Sequence, residues 1–162
     1  DDGVALTARK LRSHGSIEKY KNEILGYNSR LDALQAALLS TKIRYVDEWN
    51  DARLRIAHLY NNSLANTNGV QTPEVVDGHV FHQYTLRVDG RRDILQKHLG
   101  EQGIGTMIYY PCPQDRLPVF NNGGQCPVSD DCANHVLSLP IGPFLSENDI
   151  KRISQSIRVF MG

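Results

Sequence analysis

A short polar segment, "GYNSRLDALQAALL", places hydrogen-bond donors directly before an apolar helical pattern. Asn28 and Arg30 supply an amide and a guanidinium, while Ser29 and Asp32 match the S-x-x-D pattern of a capped helix. A helix N-terminus also offers free N–H groups and about half a positive charge. Capping explains Ser29 and Asp32, whereas Asn28 and Arg30 would complete a phosphate or carboxylate site. Residue types alone leave both interpretations open.

A second polar cluster follows in "MIYYPCPQDRLPVF". Tyr109 and Tyr110 come at the end of a predicted strand, and a proline-rich loop then carries Gln114, Asp115 and Arg116. These side chains would suit a sugar-like or nucleotide-like ligand. Residue chemistry alone favours the alternative, in which one tyrosine packs inward and the other covers the edge of the sheet.

The sequence gives little indication of a metal site or of a catalytic nucleophile. His79 and His82 fall on opposite faces of one predicted strand, so they cannot chelate one metal ion, and His82 is better explained as a half-buried packing residue. No G-x-S-x-G motif, P-loop or carboxylate pair occurs. The cysteines are three in number and widely spaced, which predicts free thiols in a reducing compartment rather than disulfides or a zinc site: Cys112, Cys126 and Cys132.

Composition indicates a soluble globular protein. The 162 residues are 40% hydrophobic and 22% charged, and 18 basic side chains balance 18 acidic ones. A neutral balance gives no general field for nucleic acid or anionic membranes, so neither is an expected partner. The apolar runs are far shorter than the roughly 20 residues of a membrane span, and the N-terminus has no signal-peptide pattern. We therefore expect a cytoplasmic location.

The polar segment precedes a long helical pattern. Apolar residues recur in steps of three and four from Ser29 to about Ala65, with a possible break near residues 42–44. At about 1.5 Å per residue, this helix would be about 50 Å long. Such a length predicts that it bridges two bodies or lies along a partner subunit.

The rest of the chain predicts an α+β fold with about three strands in a small sheet, covered by helices on one face. Ser146 and Asp149 form a second predicted capping pair, at the start of the last helix. The predicted elements are a helix over 4–13, strands over 79–88 and 104–110, a helix over 90–103, a loop over 111–129, a helix running into an extended piece over 130–140, and a helix over 146–160.

Three separated motifs in this order resemble the DegT-type sugar aminotransferases: "GYNSRLDALQAALLSTKI", "GIGTMIYYPCPQDRLPVF" and "VLSLPIGPFLSENDI". These enzymes use pyridoxal 5'-phosphate (PLP) and belong to the fold type I aspartate aminotransferase superfamily. The resemblance implies the C-terminal part of such an enzyme. Residues 1–25 would be a remnant of the large PLP-binding domain, 26–66 the interdomain helix, and 67–162 the small C-terminal α+β domain.

The resemblance also implies roles for single residues. Asn28 matches the family's asparagine that contacts the PLP phosphate of the neighbouring subunit, and Arg30 matches a substrate-contacting arginine. Tyr109 and Tyr110 match a pair beside the substrate, and His82 matches a strand position near the site. The family's Schiff-base lysine precedes "RKLRSHGS" and has no counterpart in this chain, so we expect no catalytic residue here and no activity from the chain alone.

The whole enzyme would transfer an amino group, from glutamate, to a keto-sugar nucleotide for cell-surface polysaccharide or amino-sugar biosynthesis. It would be a homodimer whose active site is completed in trans. Arg116 partly resembles a subgroup acting on uronic-acid nucleotide sugars, which leaves the sugar open. Two alternatives remain: a PLP-dependent sugar dehydratase, in which histidine replaces the lysine, and a non-catalytic module that binds a nucleotide sugar or a partner.

Overall fold

The computed structural model describes residues 1–120 and 126–162. The chain divides into two compact units, Asp1–Val46 and Asp47–Gly162, which we call the N-terminal and C-terminal units. The domain boundaries at residues 25 and 66 stay predictions. Part of the predicted loop over 111–129, residues 121–125, lies outside the described residues.

The N-terminal unit contains two helices and the segment that joins them. Helix α1 spans Asp2–Arg12, and helix α2 spans Ala33–Lys42. A three-residue 3-10 turn, Ile43–Tyr45, follows α2 and confirms the predicted break in the helical pattern. Neither α1 nor α2 buries a side chain, so this unit is held mainly by hydrogen bonds of its backbone.

The predicted capping pair at the start of α2 is wrong. The helix begins at Ala33 rather than Ser29, and the Asp32 side chain makes no capping hydrogen bond. The backbone N–H of Ser29 instead donates to the carbonyl of Arg12 at 3.0 Å, and Asn28 forms an isolated antiparallel bridge with Ser13. Residues 28 and 29 are therefore extended, because they pair with the chain that leaves α1.

The C-terminal unit is built on one antiparallel sheet, which has three strands among the described residues, in the order β1-β2-β3. Residue Tyr84 is paired with Leu139, and Arg87 with Val136. The strands are β1 Val70–Gln71, β2 Tyr84–Val88 and β3 Val136–Leu139. The helices are α3 Val46–Leu64, α4 Arg92–Glu101, α5 Pro127–His135 and α6 Glu147–Met161, with a 3-10 turn at Gln114–Arg116.

The α+β class and the three-stranded sheet are confirmed, but two of the predicted strands differ. The strand predicted over 79–88 begins only at Tyr84, because Phe81 has a φ of +47° and its N–H donates to Nδ1 of His79 at 2.9 Å. The strand predicted over 104–110 reduces to a single bridge, in which Met107 exchanges two backbone hydrogen bonds with Ser138 at 2.8 and 3.0 Å. The third strand is β1, in a part of the chain where the sequence analysis predicted no strand.

The sheet has one apolar face and one polar face. Tyr84, Leu86 and Val88 are fully buried with apolar side chains from α3, α4 and α6. Thr85 and Arg87 alternate with them and lie on the opposite face, where Arg87 forms an ion pair with Asp131 of α5. Helix α5 therefore covers the polar face, in addition to the predicted helices on the other face. None of the described helices has the length and apolar character to cross a bilayer.

The predicted capping pair of α6 is confirmed, and it makes the unit sensitive to acid. Asp149 accepts hydrogen bonds from the hydroxyl and the backbone N–H of Ser146, at 2.5 and 3.2 Å, which hold its pKa below the ordinary 3.8. A lowered pKa in the folded state stabilises the protein above the unfolded-state pKa, and this contribution is lost as pH falls through the folded-state value. We expect Ser146→Ala to reduce the fall in melting temperature between about pH 6 and about pH 3. Ser40→Ala, an exposed control in α2, should leave that fall unchanged.

Candidate functional site

Two glycines bring the segment before α2 against the end of α1. Gly15 has a φ of +82°, and a Cβ atom there would lie 1.7 Å from the carbonyl oxygen of Ile24. A Cβ atom on Gly26 would lie 2.0 Å from the backbone nitrogen of Gly15. The N–H of His14 donates to the carbonyl of Tyr27 at 2.9 Å across the same contact. Only glycine allows these two backbones to approach so closely.

This contact places Asn28 and Arg30 side by side. Nε of Arg30 donates to Oδ1 of Asn28 at 3.2 Å, and both side chains are exposed. Among the described residues, Nδ2 of Asn28 donates no hydrogen bond, and the terminal nitrogens of Arg30 are likewise without an acceptor. The pair therefore presents donors to solvent, although it lies before the helix and not at its first turn.

Arg30 also lines an open groove of about 710 Å³ in the N-terminal unit. Arg9, Arg12 and Lys19 line the same groove, and none of its described lining residues is acidic. A groove with this charge favours an anionic ligand. The sequence analysis missed these three residues. The basic spacing of Arg9 and Arg12 on α1 was visible, but their convergence with Arg30 depends on the contact between the two glycines.

In the C-terminal unit, Tyr109 contributes to two cavities. One has about 340 Å³ and is also lined by His82, and we call it the histidine-side cavity. The other has about 510 Å³ and is also lined by Tyr110 and by the cysteines Cys112, Cys126 and Cys132, and we call it the thiol-lined cavity. Tyr109 therefore lies between the cavity lined by His82 and the cavity lined by Tyr110.

The exposure of several side chains around these cavities differs from what the residue types alone predicted. Tyr109 and Tyr110 are 50% and 63% exposed, so neither packs into the core. His82 is exposed rather than half-buried. Gln83 and Ser138 line both cavities, and the sequence analysis missed them. The position of Gln83 next to His82 in "HQY" was a usable signal, whereas that of Ser138 depends on strand pairing.

No group of three His, Cys, Asp or Glu side chains in the described part of the chain is arranged to hold a metal ion. The three cysteines are free thiols, with Cys112 and Cys126 exposed. The polar groups around the cavities are hydroxyls, amides and thiols, with His82 as an imidazole in the histidine-side cavity and Asp115 as a carboxylate in the thiol-lined cavity. Such groups recognise ligands through hydrogen bonds.

Comparison with known proteins identifies the family to which the chain is similar. Residues 1–158 match the DegT/DnrJ/EryC1/StrS aminotransferase family. The chain belongs to that family. The match includes the segment that carries Asn28 and Arg30 and the cavities of the C-terminal unit.

Individual relatives are similar over nearly the whole of this chain. The chain is 45% identical over 168 residues to a pleiotropic regulatory protein of Geobacillus stearothermophilus, covering 99% of this chain and 45% of that protein. It is 40% identical over 170 residues to a UDP-N-acetyl-3-dehydro-alpha-D-glucosamine 3-aminotransferase of Acidithiobacillus ferrooxidans, covering 98% of this chain and 46% of that one. The chain therefore spans about 45% of the length of these relatives.

A solved structure supports the fold. A DegT/DnrJ/EryC1/StrS aminotransferase from Brucella abortus matches all of this chain with a TM-score of 0.91 and 36% identity. The match covers 44% of that chain. The α+β architecture described above is thus that of a part of an aminotransferase of this family.

Enzymes of this family use PLP, and the donors of the N-terminal unit fit its phosphate. A phosphate accepts hydrogen bonds strongly from amide N–H groups and from guanidinium. Nδ2 of Asn28 is an amide donor of this kind, and it is available among the described residues. The basic groove beside Arg30 would favour an anion of this kind.

Proposed function

We propose that the whole protein transfers an amino group from glutamate to a keto-sugar nucleotide, with PLP as its cofactor. The observation that carries this proposal is the Asn28–Arg30 pair, which presents free donors beside a basic groove in a chain of the aminotransferase family. Relatives named for UDP-linked and dTDP-linked sugar transamination support the substrate class. The product would serve amino-sugar or cell-surface polysaccharide synthesis in the cytoplasm.

The residues of this chain divide the work of binding. Asn28 donates through Nδ2 to the PLP phosphate held by a neighbouring subunit, while Arg30 contacts the substrate. His82, Tyr109 and Tyr110 orient the sugar through the two cavities that they line. When bound, PLP supplies an electron-withdrawing ring that makes a proton on the amino-bearing carbon acidic.

The rest of the whole protein completes the site in this proposal. This chain spans only about 45% of the length of its relatives. The lysine that joins PLP and moves the proton would lie in the part of the whole protein that corresponds to the rest of that length. The chain alone transfers no amino group. A homodimer is part of the proposal, because a phosphate contact in trans requires a second subunit. Leu34, Leu38 and Leu39 of α2 are 55–74% exposed and are available for such a contact.

The phosphate role of Asn28 is tested in the whole protein by Asn28→Ala. A hydrogen bond to a charged group contributes about 1.5–3 kcal/mol, so we expect the affinity for PLP to fall roughly 10- to 150-fold. Cofactor content after dialysis against a series of PLP concentrations measures the effect. Asn62→Ala, at an exposed position of α3, is the matched control and should retain PLP. Equal retention by the two variants would falsify the phosphate role.

Arg30→Lys separates substrate binding from cofactor binding in the same experiment. Lysine keeps the charge but loses the planar fork of the guanidinium. We therefore expect KM for the sugar nucleotide to rise more than the dissociation constant of PLP. Formation of the amino-sugar nucleotide from glutamate, followed by mass spectrometry, gives the activity. A wild-type protein that is loaded with PLP and forms no such product would refute the proposed reaction.

A further inference from the structure

The turn before β2 exchanges the faces that two neighbouring side chains would occupy in a strand. Side chains alternate between the faces of a strand, so an extended chain would place His82 on the buried face with Tyr84 and Phe81 on the opposite face. The structure has the reverse arrangement. Phe81 is fully buried, with its ring centroid 6.1 Å from that of Tyr84, while His82 is exposed and lines the histidine-side cavity. The exchange occurs at Phe81, whose φ of +47° breaks the alternation.

This backbone conformation is unfavourable for phenylalanine. A positive φ brings the Cβ atom of an L-residue against its own backbone, and such a conformation persists only where the surrounding structure holds it. Burial of the Phe81 ring in the core supplies one part of that support. The contacts of the neighbouring side chains supply the rest.

His79 holds the turn from one side. Its Nδ1 accepts a hydrogen bond from the N–H of Phe81 at 2.9 Å, and its ring lies against the ring of Phe81 with centroids 4.0 Å apart. Both contacts are made to the residue with the positive φ. His82, and not His79, is one of the described residues that line the histidine-side cavity. His79 therefore acts on that cavity only through the turn.

Arg53 of α3 holds the turn from the other side. Its Nε donates to the carbonyl of Val80 at 3.2 Å, which fixes the peptide group between Val80 and Phe81. Its guanidinium also donates to Oδ1 of Asn50, one turn earlier in the same helix. The turn is thus attached to α3 by its carbonyl and to His79 by its N–H.

We propose that His79 is a positioning residue, which holds Phe81 at its positive φ and thereby keeps His82 at the histidine-side cavity rather than in the core. This inference rests on the proposed function for the ligand, a nucleotide sugar that His82 contacts. It assigns a role to the first histidine of "HVFH", for which the sequence analysis gave none.

Two substitutions of His79, in the whole protein loaded with PLP, test the hydrogen bond. His79→Asn keeps an acceptor oxygen close to the position of Nδ1, whereas His79→Ala removes the acceptor. We expect KM for a UDP-linked keto-sugar to rise about 3- to 10-fold in His79→Ala, with kcat and PLP content unchanged. His79→Asn should restore KM to near the wild-type value. His58→Ala, at an exposed position of α3, is the matched control and should leave KM unchanged.

A double-mutant cycle tests whether His79 acts through His82. His79→Ala should raise KM no further in a protein that already carries His82→Ala, because the side chain to be positioned is gone. An equal rise in both backgrounds, or equal KM values in His79→Ala and His79→Asn, overturns the inference.

The reactivity of His82 provides a readout that does not depend on turnover. Diethyl pyrocarbonate modifies accessible imidazoles, and peptide fragmentation in the mass spectrometer distinguishes His82 from His79. We expect slower modification of His82 in His79→Ala than in the wild type and in His79→Asn, because His82 turns toward the core. If the wild type forms no amino-sugar nucleotide, the proposed function fails, whereas slower modification in His79→Ala would still support the positioning role. Equal modification rates of His82 in the three proteins overturn that role.

Discussion

Gly26→Ala is expected to remove PLP from the whole protein more completely than Asn28→Ala does. The added Cβ atom would lie 2.0 Å from the backbone nitrogen of Gly15, and backbone atoms cannot rotate away as a side chain can. Overpacking of this kind destabilises a protein by about 1–3 kcal/mol. We expect the upper end of that range here, because the clash is with backbone. The chain must separate from the end of α1, which displaces both Asn28 and Arg30. We therefore expect a loss of PLP affinity larger than about 100-fold.

A second glycine gives the control for this experiment. Gly100 lies in α4, and a Cβ atom added there would meet no side chain or other segment of the chain within 4 Å. Gly100→Ala should therefore retain PLP and stabilise α4 by roughly 0.5–1 kcal/mol, since alanine favours the helix. Cofactor content and circular dichroism of the two variants are measured together. If Gly26→Ala retained PLP as well as Gly100→Ala, the contact between Gly15 and Gly26 would not position Asn28.

The sequence predicted the strongly periodic elements of the fold. Helix α4 was evident from its apolar spacing, and α6 from its apolar spacing together with its capping box. Strand β2 was predicted with a start that is too early, since the alternation of residues 79–88 continues through Phe81, whose positive φ is not visible in the pattern. Strand β1 has two residues and therefore carries no detectable period. Whether such a short segment forms a strand depends on its pairing with a distant segment of the chain.

The residues of the candidate site stay predictions, and the local backbone structure around them could not be predicted from the sequence. Motifs identified Asn28, Arg30 and the tyrosine pair, because their types and order resemble a known family. The start of α2 at Ala33 could not be predicted from the S-x-x-D pattern, since Ser29 is held by the carbonyl of Arg12.

Tyr60→Ala is expected to be the most destabilising single change in the C-terminal unit. Tyr60 is fully buried, its ring stacks on Tyr84 with centroids 4.9 Å apart, and its hydroxyl donates to the carbonyl of Pro140 at 3.0 Å. Burial raises the pKa values of both tyrosines well above the ordinary 10.0, so their hydroxyls stay protonated as donors. Removal of such a ring costs about 3–5 kcal/mol. That is a large share of the roughly 5–15 kcal/mol that stabilises a typical domain.

Tyr60→Phe separates packing from the hydrogen bond. It keeps the stacked ring and removes only the donor to Pro140, so we expect a loss of about 1 kcal/mol. Hydrogen exchange of the β2 amides in the whole protein measures both losses, because these amides exchange through opening of the surrounding core. Pro140 lines the histidine-side cavity, so the phenylalanine variant should also alter KM for the sugar nucleotide while leaving PLP content unchanged. Equal exchange rates in Tyr60→Ala and Tyr60→Phe would show that the hydroxyl, and not the ring, holds α3 against the sheet.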